Sequence, residues 1–409
     1  MFDAVVIGGG PGGSICGARL ASLGRRVVVL ERDKHPRFHL GESLLPKSLD
    51  VLDAVGALPA VRARFLVKRG ARFVDGADAR RTARYVFADA FHAKWDHAFQ
   101  VPRDEFDALL FARAGACGAE LREAWTATRV VFEGARAAGV EARAPDGASH
   151  TLHARFVVDA SGREAMMARA PGGGGVARLT HLDRTALYTQ VRGAWRDEGE
   201  RDGDIQIVVW GEAEGRGWMW LIPFSDGRTS VGAVVSSAWV RGHRDLGGPE
   251  ALLDAAIREA PAAARMLERA ERVFPPRATA DFSFRVDSLR GDGWLAVGDA
   301  GGFIDPLFST GAHLAMHGGL RAADAIDAAL AGGDVSAARF EAYEREMRAG
   351  ADLFLGAVQS FYAGDLASYV FVDEQHPFLR RAVTSMLAGD VFDESARWVR
   401  EMTARFPVL

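Results

Sequence analysis

The chain has 409 residues, 48% of them hydrophobic, and its 50 basic and 54 acidic residues give a formal net charge of −4 at pH 7. This length predicts two or three packed units with a large core. The nearly balanced charge argues against nucleic acid as a partner, because no dominant positive field is available. Two cysteines, Cys16 and Cys117, are too few for a disulfide framework. No signal peptide or membrane-length apolar run is present, so we expect a cytoplasmic protein without a membrane partner.

The first elements in chain order predict a β-α-β unit. The apolar run Asp3–Ile7 is typical of a strand buried on both faces. A glycine-rich turn at residues 8–13 satisfies G-x-G-x-x-G and leads into the helical stretch Ser14–Leu23. A second strand, Arg26–Leu30, ends at Glu31. We therefore predict a Rossmann-like dinucleotide site at this end of the chain.

The three glycines of the turn and the glutamate after the second strand each have a physical role. Gly8 permits the tight turn, Gly10 lets the backbone approach a pyrophosphate, and Gly13 lets the helix and the strand pack closely. The free N–H groups at the start of the helix would bind the phosphates. Glu31, at the end of the second strand, would accept hydrogen bonds from the ribose hydroxyls of the adenosine half.

Two later segments favour FAD as the dinucleotide. Phe156–Gly162 is predicted to be a strand that delivers Asp159 into a turn, and Trp294–Asp299 a strand that ends in an aspartate. An aspartate at the carboxyl end of a strand can hydrogen-bond a ribityl chain. A helix predicted to begin near Thr310 would point its N-terminus at the negative edge of a reduced flavin. This order of motifs resembles the FAD-binding pattern of the flavin monooxygenase superfamily.

The segment Gly217–Pro223 narrows the resemblance. It reads G-W-M-W-L-I-P and is similar to the G-W-x-W-x-I-P signature of the flavin-dependent halogenases. Trp218 and Trp220 lie two residues apart on a predicted strand, so both rings face the same side of the sheet. There they would form a wall beside the flavin. Two such rings could also simply fill the core beneath a sheet, so the pair alone does not decide between these interpretations.

Three further segments resemble the same family. Phe38–Pro46 contains the family's G-E-S-L-L-P segment, and Val67–Phe73 resembles its K-x-G-A-x-F segment, whose lysine, here Lys68, faces a substrate tunnel. Asp305–Gly311 resembles the segment that contributes to halide binding. In the tryptophan halogenases a catalytic glutamate immediately precedes the Ser-x-Gly sequence of this segment, whereas this chain has Phe308 at that position. The chain therefore resembles the branch that acts on substrates other than tryptophan.

The resemblance implies a p-hydroxybenzoate-hydroxylase-like fold of the α/β class with an added antiparallel sheet. A Rossmann-like FAD-binding domain is expected to carry an inserted β-rich substrate domain and a C-terminal helical segment. The FAD-binding domain is expected at residues 1–75, 98–172 and 287–345, the substrate-domain sheet at 76–97 and 176–286, and the helical segment at 346–409. The glycine run at residues 172–175 predicts a loop between two of these units.

The resemblance also implies the site residues. The catalytic candidates are Lys68, Trp218 and Trp220, and the halide-binding candidates are Thr310 and Gly311. The residues expected to bind FAD are Gly8, Gly10, Pro11, Gly13, Glu31, Arg32, Ser43, Arg103, Asp159, Gly298, Asp299, Pro306 and Gly311. Lys68 is one of four lysines. An amine can form a chloramine or hydrogen-bond hypohalous acid, whereas a guanidinium can do only the second. The histidine spacings match no metal motif, so no metal is expected.

The function implied by the resemblance is halogenation in secondary metabolism. Reduced FAD from a separate flavin reductase, O₂ and chloride or bromide would give hypohalous acid. This oxidant would halogenate a phenolic, pyrrolic or carrier-protein-bound substrate. An FAD-dependent monooxygenase that hydroxylates its substrate directly and an FAD oxidoreductase of the prenyl-reductase type would use most of the same segments. These two alternatives stay open, as does a flavin-bearing binding protein without turnover.

Overall fold

The computed structural model describes residues 1–171, 173–212 and 215–408, so Gly172, at a predicted domain boundary, lies outside the described residues. The strands, in chain order, are β1 Phe2–Ile7, β2 Val27–Glu31, β3 Leu66–Lys68, β4 Gly70–Asp75, β5 Thr82–Val86, β6 Ala98–Gln100, β7 Glu120–Glu123, β8 Thr126–Glu133, β9 Arg136–Arg143, β10 Ser149–Asp159, β11 Val176–Arg178, β12 Arg184–Arg192, β13 Ile205–Trp210, β14 Gly217–Pro223, β15 Arg228–Ser236, β16 Glu271–Arg272, β17 Arg277–Ala280, β18 Phe284–Val286, β19 Arg290–Gly291, β20 Trp294–Ala296 and β21 Gly302–Phe303. The helices are α1 Pro11–Ser22, α2 Ser48–Ala54, α3 Leu58–Arg64, α4 Arg103–Ala116, α5 Met166–Arg169, α6 Ser237–Gly242, α7 Pro249–Glu259, α8 Pro261–Met266, α9 Thr310–Gly332, α10 Glu341–Ala363, α11 Asp365–Val370, α12 Pro377–Leu387 and α13 Arg397–Arg405.

The first large sheet carries the dinucleotide motif. Its order is β19-β20-β10-β1-β2-β7, with the hairpin β8-β9 extending it beside β10. The strands β20, β10, β1, β2 and β7 run parallel, so their carboxyl ends meet at one edge. The sequences FDAVVI of β1 and VVVLE of β2 are almost wholly apolar and mostly buried, as expected at the centre of a parallel sheet. The turns that follow β1, β2, β10 and β20 therefore lie side by side.

Two helices cross closely beneath the turn after β1. A Cβ atom on Gly319 of α9 would overlap the carbonyl oxygen of Gly12 in α1. A Cβ atom on Gly12 would in turn lie 3.0 Å from the carbonyl oxygen of Ala315. Only glycine allows two helix backbones to approach this closely. The crossing brings the N-termini of α1 and α9 towards the same edge of the first sheet.

The second large sheet is antiparallel except at one pairing. Its order is β16-β12-β15-β14-β13-β4-β5, with β17 beside β12, and β13 pairs parallel to β4. Trp218, Trp220 and Ile222 of β14 face the core shared with the first sheet. The alternate residues Met219 and Leu221 face a separate apolar cluster formed with α7 and α8. This period-two division of β14 is the one expected for a strand covered on both faces.

The observed elements differ from two expectations. Gly70–Asp75 was expected in the FAD-binding domain, but as β4 it pairs with β5 and β13 in the second sheet. Its parallel partner β13 is more than a hundred residues away in the sequence, and local sequence pattern does not reveal such a pairing. The alanine-rich composition of residues 249–271 predicts one helix, but the structure has two, because Ala260 leaves the helical region at φ −118° and ψ 81° before Pro261 starts α8.

The chain beyond β21 is helical, as predicted. The apolar face of α10, including Phe354, Val358, Phe361 and Tyr362, is buried in the common core. Two small sheets, β3-β6 and β11-β18-β21, complete the fold. In the described part of the chain no helix has both the length and the apolar character needed to cross a bilayer.

Candidate active site

A cavity of about 1420 Å³ lies between the two large sheets. This volume exceeds the roughly 300–1,000 Å³ of most small-molecule sites, which leaves room for a large ligand. The sequence-predicted residues that line it are Gly8, Gly10, Pro11, Glu31, Arg32, Ser43, Arg103, Trp218, Trp220, Gly298, Asp299, Pro306, Thr310 and Gly311. Gly13, Lys68 and Asp159 do not line it. The fold thus brings together most of the residues that the sequence analysis singled out.

The turn after β1 forms one end of the cavity. Gly8 has φ +105°, a conformation that favours glycine. Gly10 precedes α1 and offers no side-chain cap, so the first N–H groups of the helix are left for a ligand. The Glu31 carboxylate accepts hydrogen bonds from the backbone N–H groups of Gly9 and Asp33, both at 3.0 Å. These contacts fix the acid at the end of β2 beside the open helix N-terminus.

A buried charge cluster supports this end of the cavity. Arg37 donates to Glu31 Oε2 at 3.2 Å and to Asp107 Oδ2 at 3.0 Å. Arg103 donates to both oxygens of Asp107, from Nε at 2.7 Å and from Nη2 at 3.0 Å. Burial acts to raise the pKa of Asp107, but the charge and hydrogen bonds of Arg103 outweigh it and lower the pKa. Arg37 lines the cavity and was missed by the sequence analysis, because it belongs to no recognisable motif.

Two residues that the sequence predicts to bind the cofactor, Asp159 and Gly13, do not line the cavity but shape the backbone beside it. Asp159 is buried, and its carboxylate accepts hydrogen bonds from Ser161 N at 3.0 Å and from Met167 N at 2.7 Å. It therefore shapes the turn after β10, whose residues Ser161 and Gly162 line the cavity. A Cβ atom on Gly13 would overlap the carbonyl oxygen of Gly8, which explains the glycine by helix-strand packing. The carboxylate of Asp159 already accepts two hydrogen bonds from the backbone of its own turn, and its contact with the cofactor stays a prediction.

The turn after β20 supplies a second acid. Gly298 has φ +64°, and Asp299 follows it on the cavity wall. Burial raises the pKa of Asp299 to about 6, against the opposing charge of Arg103. A carboxyl group in this position can accept hydrogen bonds from hydroxyl groups of a ligand.

The segment before α9 forms the next part of the wall. Asp305 Oδ1 accepts a hydrogen bond from Leu307 N at 2.9 Å and so caps the turn at Pro306. Ser309 adopts a left-handed conformation at φ +57°, and α9 starts at Thr310 without a side-chain cap. The open N–H groups of this helix end face the cavity and favour an anion. Phe308, in the place of the glutamate of the tryptophan halogenases, is buried and does not line the cavity.

The two tryptophans of β14 form an aromatic surface on the cavity wall. Their ring centroids lie 5.8 Å apart at an interplanar angle of 48°. Trp218 is 1% exposed and Trp220 5%. Trp220 Nε1 donates to Ser230 Oγ at 3.1 Å, and Trp218 Nε1 donates to the hydroxyl of Tyr362 at 2.9 Å. Because both indole N–H groups are used, both rings are held in fixed orientations.

Lys68 lies immediately behind the cavity wall. Its Nζ donates to Ser43 Oγ at 2.8 Å and to the carbonyl oxygen of Leu44 at 3.1 Å, and Ser43 lines the cavity. The Nζ atom also lies 5.1 Å from the ring centroid of Phe87. Burial lowers the pKa of Lys68 to about 7, with a smaller opposing effect from the charge of Asp204. The two roles considered for Lys68 need its ammonium and its neutral amine form, and a pKa near 7 allows both forms.

Two family profiles and several curated proteins are similar to this chain. The profile of the Tryptophan halogenase family matches residues 77–368, more than half of the chain, and that of the NAD(P)-binding Rossmann-like domain matches residues 6–51. The 1H-pyrrole-2-carbonyl-[peptidyl-carrier protein] brominase of Pseudoalteromonas luteoviolacea (strain 2ta16) is 29% identical over 96% of this chain and 93% of its own. The Tryptophan 2-halogenase of Chondromyces crocatus is 31% identical over 97% of this chain and 74% of its own.

This chain belongs to the flavin-dependent halogenases.

Solved structures of halogenases share the whole architecture. The flavin-dependent brominase Bmp2 superposes with a TM-score of 0.88 at 27% identity, covering 99% of this chain and 98% of its own. The myxobacterial chondrochloren halogenase CndH gives a TM-score of 0.81 at 33% identity, covering 98% and 95%. The recognised family, the fold class and the dependence on FAD and halide are therefore confirmed. The monooxygenase and prenyl-reductase alternatives have no support from these relatives.

The cavity of this halogenase fits FAD. Gly10 lines it, and a Cβ atom placed on Gly10 would meet only Arg37 Nη2, at 3.6 Å. The open N-terminus of α1 suits a pyrophosphate, and the acids Glu31 and Asp299 suit the hydroxyls of the ribose and the ribityl chain. No group of three metal-ligating side chains was found among residues 1–171, 173–212 and 215–408.

Glu42 is a further cavity residue that the sequence analysis did not name as functional. It is 1% exposed, and Gln190 Nε2 donates to its Oε1 at 3.0 Å. Burial raises the pKa of Glu42 to about 7, although hydrogen bonds with Ser230 and Gln190 act to lower it. Ser230 also accepts the hydrogen bond from Trp220, so Glu42 supports the aromatic surface through one hydroxyl. The signal available in the sequence was its place beside Ser43 in the G-E-S segment.

Proposed function

We propose that this halogenase acts on an electron-rich ring, pyrrolic or phenolic, and that a pyrrole held on a carrier protein is its first candidate substrate. The relatives that support this choice are named for pyrrole-2-carbonyl groups on a peptidyl carrier protein, one a brominase and one a chlorinase. The chain spans over nine-tenths of the brominase and nine-tenths of the chlorinase. Phe308, in place of the glutamate of tryptophan halogenases, supports a substrate other than tryptophan.

The observation that carries the proposal is the meeting of two features in one cavity, with a third directly behind the cavity wall. The aromatic surface of Trp218 and Trp220 and the open N-terminus of α9 both face it, and Lys68 stands behind Ser43 in its wall. A rigid aromatic wall keeps a bulky substrate away from the flavin, whereas a small anion still fits at a helix N-terminus. That separation is what halogenation by a freed oxidant requires, and it opposes direct hydroxylation.

The residues then divide the work as follows. Bound reduced FAD supplies the electrons that activate O₂. The N–H groups of Thr310 and Gly311 hold the halide that becomes hypohalous acid. Trp218 and Trp220 exclude the organic substrate and bulk water from the position of the halide. Lys68 takes up the oxidant behind the wall and presents it to the substrate, either by a hydrogen bond from its ammonium group or as a chloramine.

A separate flavin reductase is the proposed source of reduced FAD. Within residues 1–171, 173–212 and 215–408 the structure has one dinucleotide-binding β-α-β unit, at residues 2–31, and the cavity beside it is the proposed site of FAD. The other expected partner is the substrate itself, free or held on a carrier protein. The cytoplasmic location stays a prediction.

The role of Lys68 can be tested with Lys68→Met, which keeps an unbranched side chain as far as Cε and removes the amine. We expect unchanged consumption of reduced FAD and O₂ with bromide, unchanged release of hypobromous acid to a chemical trap, and a loss of brominated product of at least about 100-fold. The measurements are oxygen uptake, trap bromination and product analysis by mass spectrometry. The matched control is Lys94→Met, which removes an exposed lysine paired with Asp50. Product formation at the wild-type rate by Lys68→Met would show the assignment to be wrong.

The substrate class is tested with three acceptors in parallel. These are a pyrrole-2-carbonyl group on a peptidyl carrier protein, free pyrrole-2-carboxylate and a simple phenol. We expect regioselective bromination of the carrier-bound pyrrole and slower, less selective reaction of the free rings. Equal rates for all three, with loss of selectivity in each, would mean that only released hypobromous acid reacts and that the carrier-bound substrate is wrong.

A further inference from the structure

Tyr362 links two parts of the active site that are distant in the sequence. It lies in the last turn of α10 and is 7% exposed. Its hydroxyl accepts a hydrogen bond from Trp218 Nε1 at 2.9 Å and donates one to Asp305 Oδ2 at 2.9 Å. The second oxygen of Asp305 accepts from Leu307 N and so holds the turn before α9. A continuous buried chain of hydrogen bonds therefore runs from the aromatic surface to the proposed halide-binding segment.

The tyrosine is itself held firmly. The guanidinium of Arg184 lies 3.8 Å from the centroid of the Tyr362 ring, in a cation–π contact. Arg216 Nη1 donates to the backbone carbonyl oxygens of Phe361 and Tyr362, at 3.2 and 2.9 Å. Arg184 Nη1 donates to the carbonyl oxygen of Arg216 at 3.0 Å, which joins the two arginines into one support. These contacts fix the position of the Tyr362 hydroxyl, and from that position it reaches both Trp218 and Asp305.

The direction of the hydrogen bonds matters for what the chain transmits. The hydroxyl has one proton, which it gives to Asp305, and it receives the proton of Trp218 on a lone pair. Hydrogen bonds in such a series strengthen one another in a buried site. A change in the charge or position of Asp305 therefore alters the bond at Trp218.

We propose that Tyr362 is a positioning residue that couples the orientation of Trp218 to the halide-binding segment through Asp305. The inference rests on the proposed halide site, and it goes beyond that site by giving α10 a role in the reaction. Anion binding at the N-terminus of α9 shifts the turn held by Asp305, and the shift reaches Trp218 through the tyrosine hydroxyl. The aromatic surface is thus set in place when the halide is bound.

The test uses FAD-loaded protein labelled with ¹⁵N in the indole groups of its nine tryptophans. Trp218→Phe assigns the Trp218 indole N–H resonance. We expect Tyr362→Phe and Asp305→Asn each to shift this resonance more than any other indole resonance, although the Trp218 indole N–H donates to Tyr362 and not to Asp305. The matched control is Tyr343→Phe, which removes a buried hydroxyl of the same helix that donates to Ala296 O. It should leave Trp218 unchanged.

Bromide titration supplies the second measurement. In the wild type, bromide should shift the Trp218 resonance, and in Tyr362→Phe the response should disappear while the bromide dissociation constant rises about tenfold or more, the effect of losing a hydrogen bond to a carboxylate. Tyr362→Phe keeps the ring beneath Arg184, and a thermal melt checks its folding. A Trp218 resonance unaffected by Asp305→Asn would overturn the coupling even if the enzyme halogenates. Absence of bromide binding in the wild type would instead overturn the halide site of the proposed function, and the Asp305→Asn result would still decide the coupling.

Discussion

Glu42 is a buried acid of the site whose hydrogen-bond partners include no cation. Glu31 and Asp107 each have an arginine partner, whereas the hydrogen bonds to the carboxyl group of Glu42 come from the neutral side chains of Gln190 and Ser230. A buried carboxylate without a cation is disfavoured, so the group keeps its proton to higher pH. This is the physical reason for its pKa of about 7.

The titration of Glu42 makes a prediction for stability. Its folded-state pKa is raised from 4.5 to about 7, so its contribution to stability is present below pH 4.5 and is lost as the pH rises through about 7. Glu42→Gln keeps the hydrogen bonds and does not titrate. We expect the free energy of unfolding of the variant, relative to the wild type, to increase between pH 5 and pH 8 by on the order of 3 kcal/mol. Urea unfolding at both pH values measures it.

The control for this prediction is Glu374→Gln, at an exposed position. Because that side chain is exposed, the substitution should change the free energy of unfolding by no more than about 0.5 kcal/mol at either pH. A pH-independent difference for Glu42→Gln would mean that Glu42 is ionised in the folded protein throughout this range.

At the scale of the elements, the crossing of α1 and α9 determines where the two helix N-termini lie. The crossing depends on Gly12 and Gly319, which leave no room for a side chain between the backbones. One helix end meets the proposed pyrophosphate and the other the proposed halide. A change in the crossing therefore affects both sites at once, although Gly319 itself does not line the cavity.

Gly319→Ala tests this dependence. Its Cβ would overlap the carbonyl oxygen of Gly12, so α9 must move away from α1. We expect a loss of about 1–3 kcal/mol in the free energy of unfolding, typical of overpacking, and weaker FAD binding in fluorescence titration. The control Gly332→Ala, at the far end of α9, has no atom within 4 Å of the added Cβ and should be neutral or stabilising by up to about 1 kcal/mol. Equal stability of the two variants would contradict the described crossing.

For the whole molecule, the sequence was most informative where function depends on a local backbone shape. The G-x-G-x-x-G turn and the two-residue spacing of Trp218 and Trp220 could be interpreted without tertiary information, because a turn and a strand fix their own geometry. The sequence indicates Tyr362 only as part of an apolar helix face, because the helical period predicts that its ring is buried but not which groups its hydroxyl contacts. Asp159 is predicted to contact the cofactor, and the structure shows its oxygens in hydrogen bonds with the following turn.

The second sheet also contains a feature that the sequence alone does not predict. The parallel pairing of β13 with β4 joins segments far apart in the sequence, and no short pattern in either segment predicts its partner. The cavity depends on this pairing and on the first sheet together, since β14 supplies the aromatic surface and the turns after β1 and β20 supply the cofactor end. A ligand bound between the sheets therefore stabilises the molecule as a whole, by an amount set by its affinity and concentration.

Gly10→Ala separates ligand binding from folding in this arrangement. Gly10 has φ −71° and ψ −177°, which alanine adopts without strain, and the added Cβ would meet only Arg37 Nη2, at 3.6 Å. The apoprotein should therefore melt at the wild-type temperature. Because the Cβ would occupy the approach of the pyrophosphate to the backbone, we expect FAD to raise the melting temperature of the variant much less than that of the wild type. At 100 times the dissociation constant FAD adds about 2.7 kcal/mol to the stability of the wild type, a shift that differential scanning fluorimetry resolves.

Gly13→Ala, whose Cβ would overlap Gly8 O, should instead destabilise the apoprotein. An unchanged FAD-dependent shift in Gly10→Ala would place the pyrophosphate away from the turn after β1.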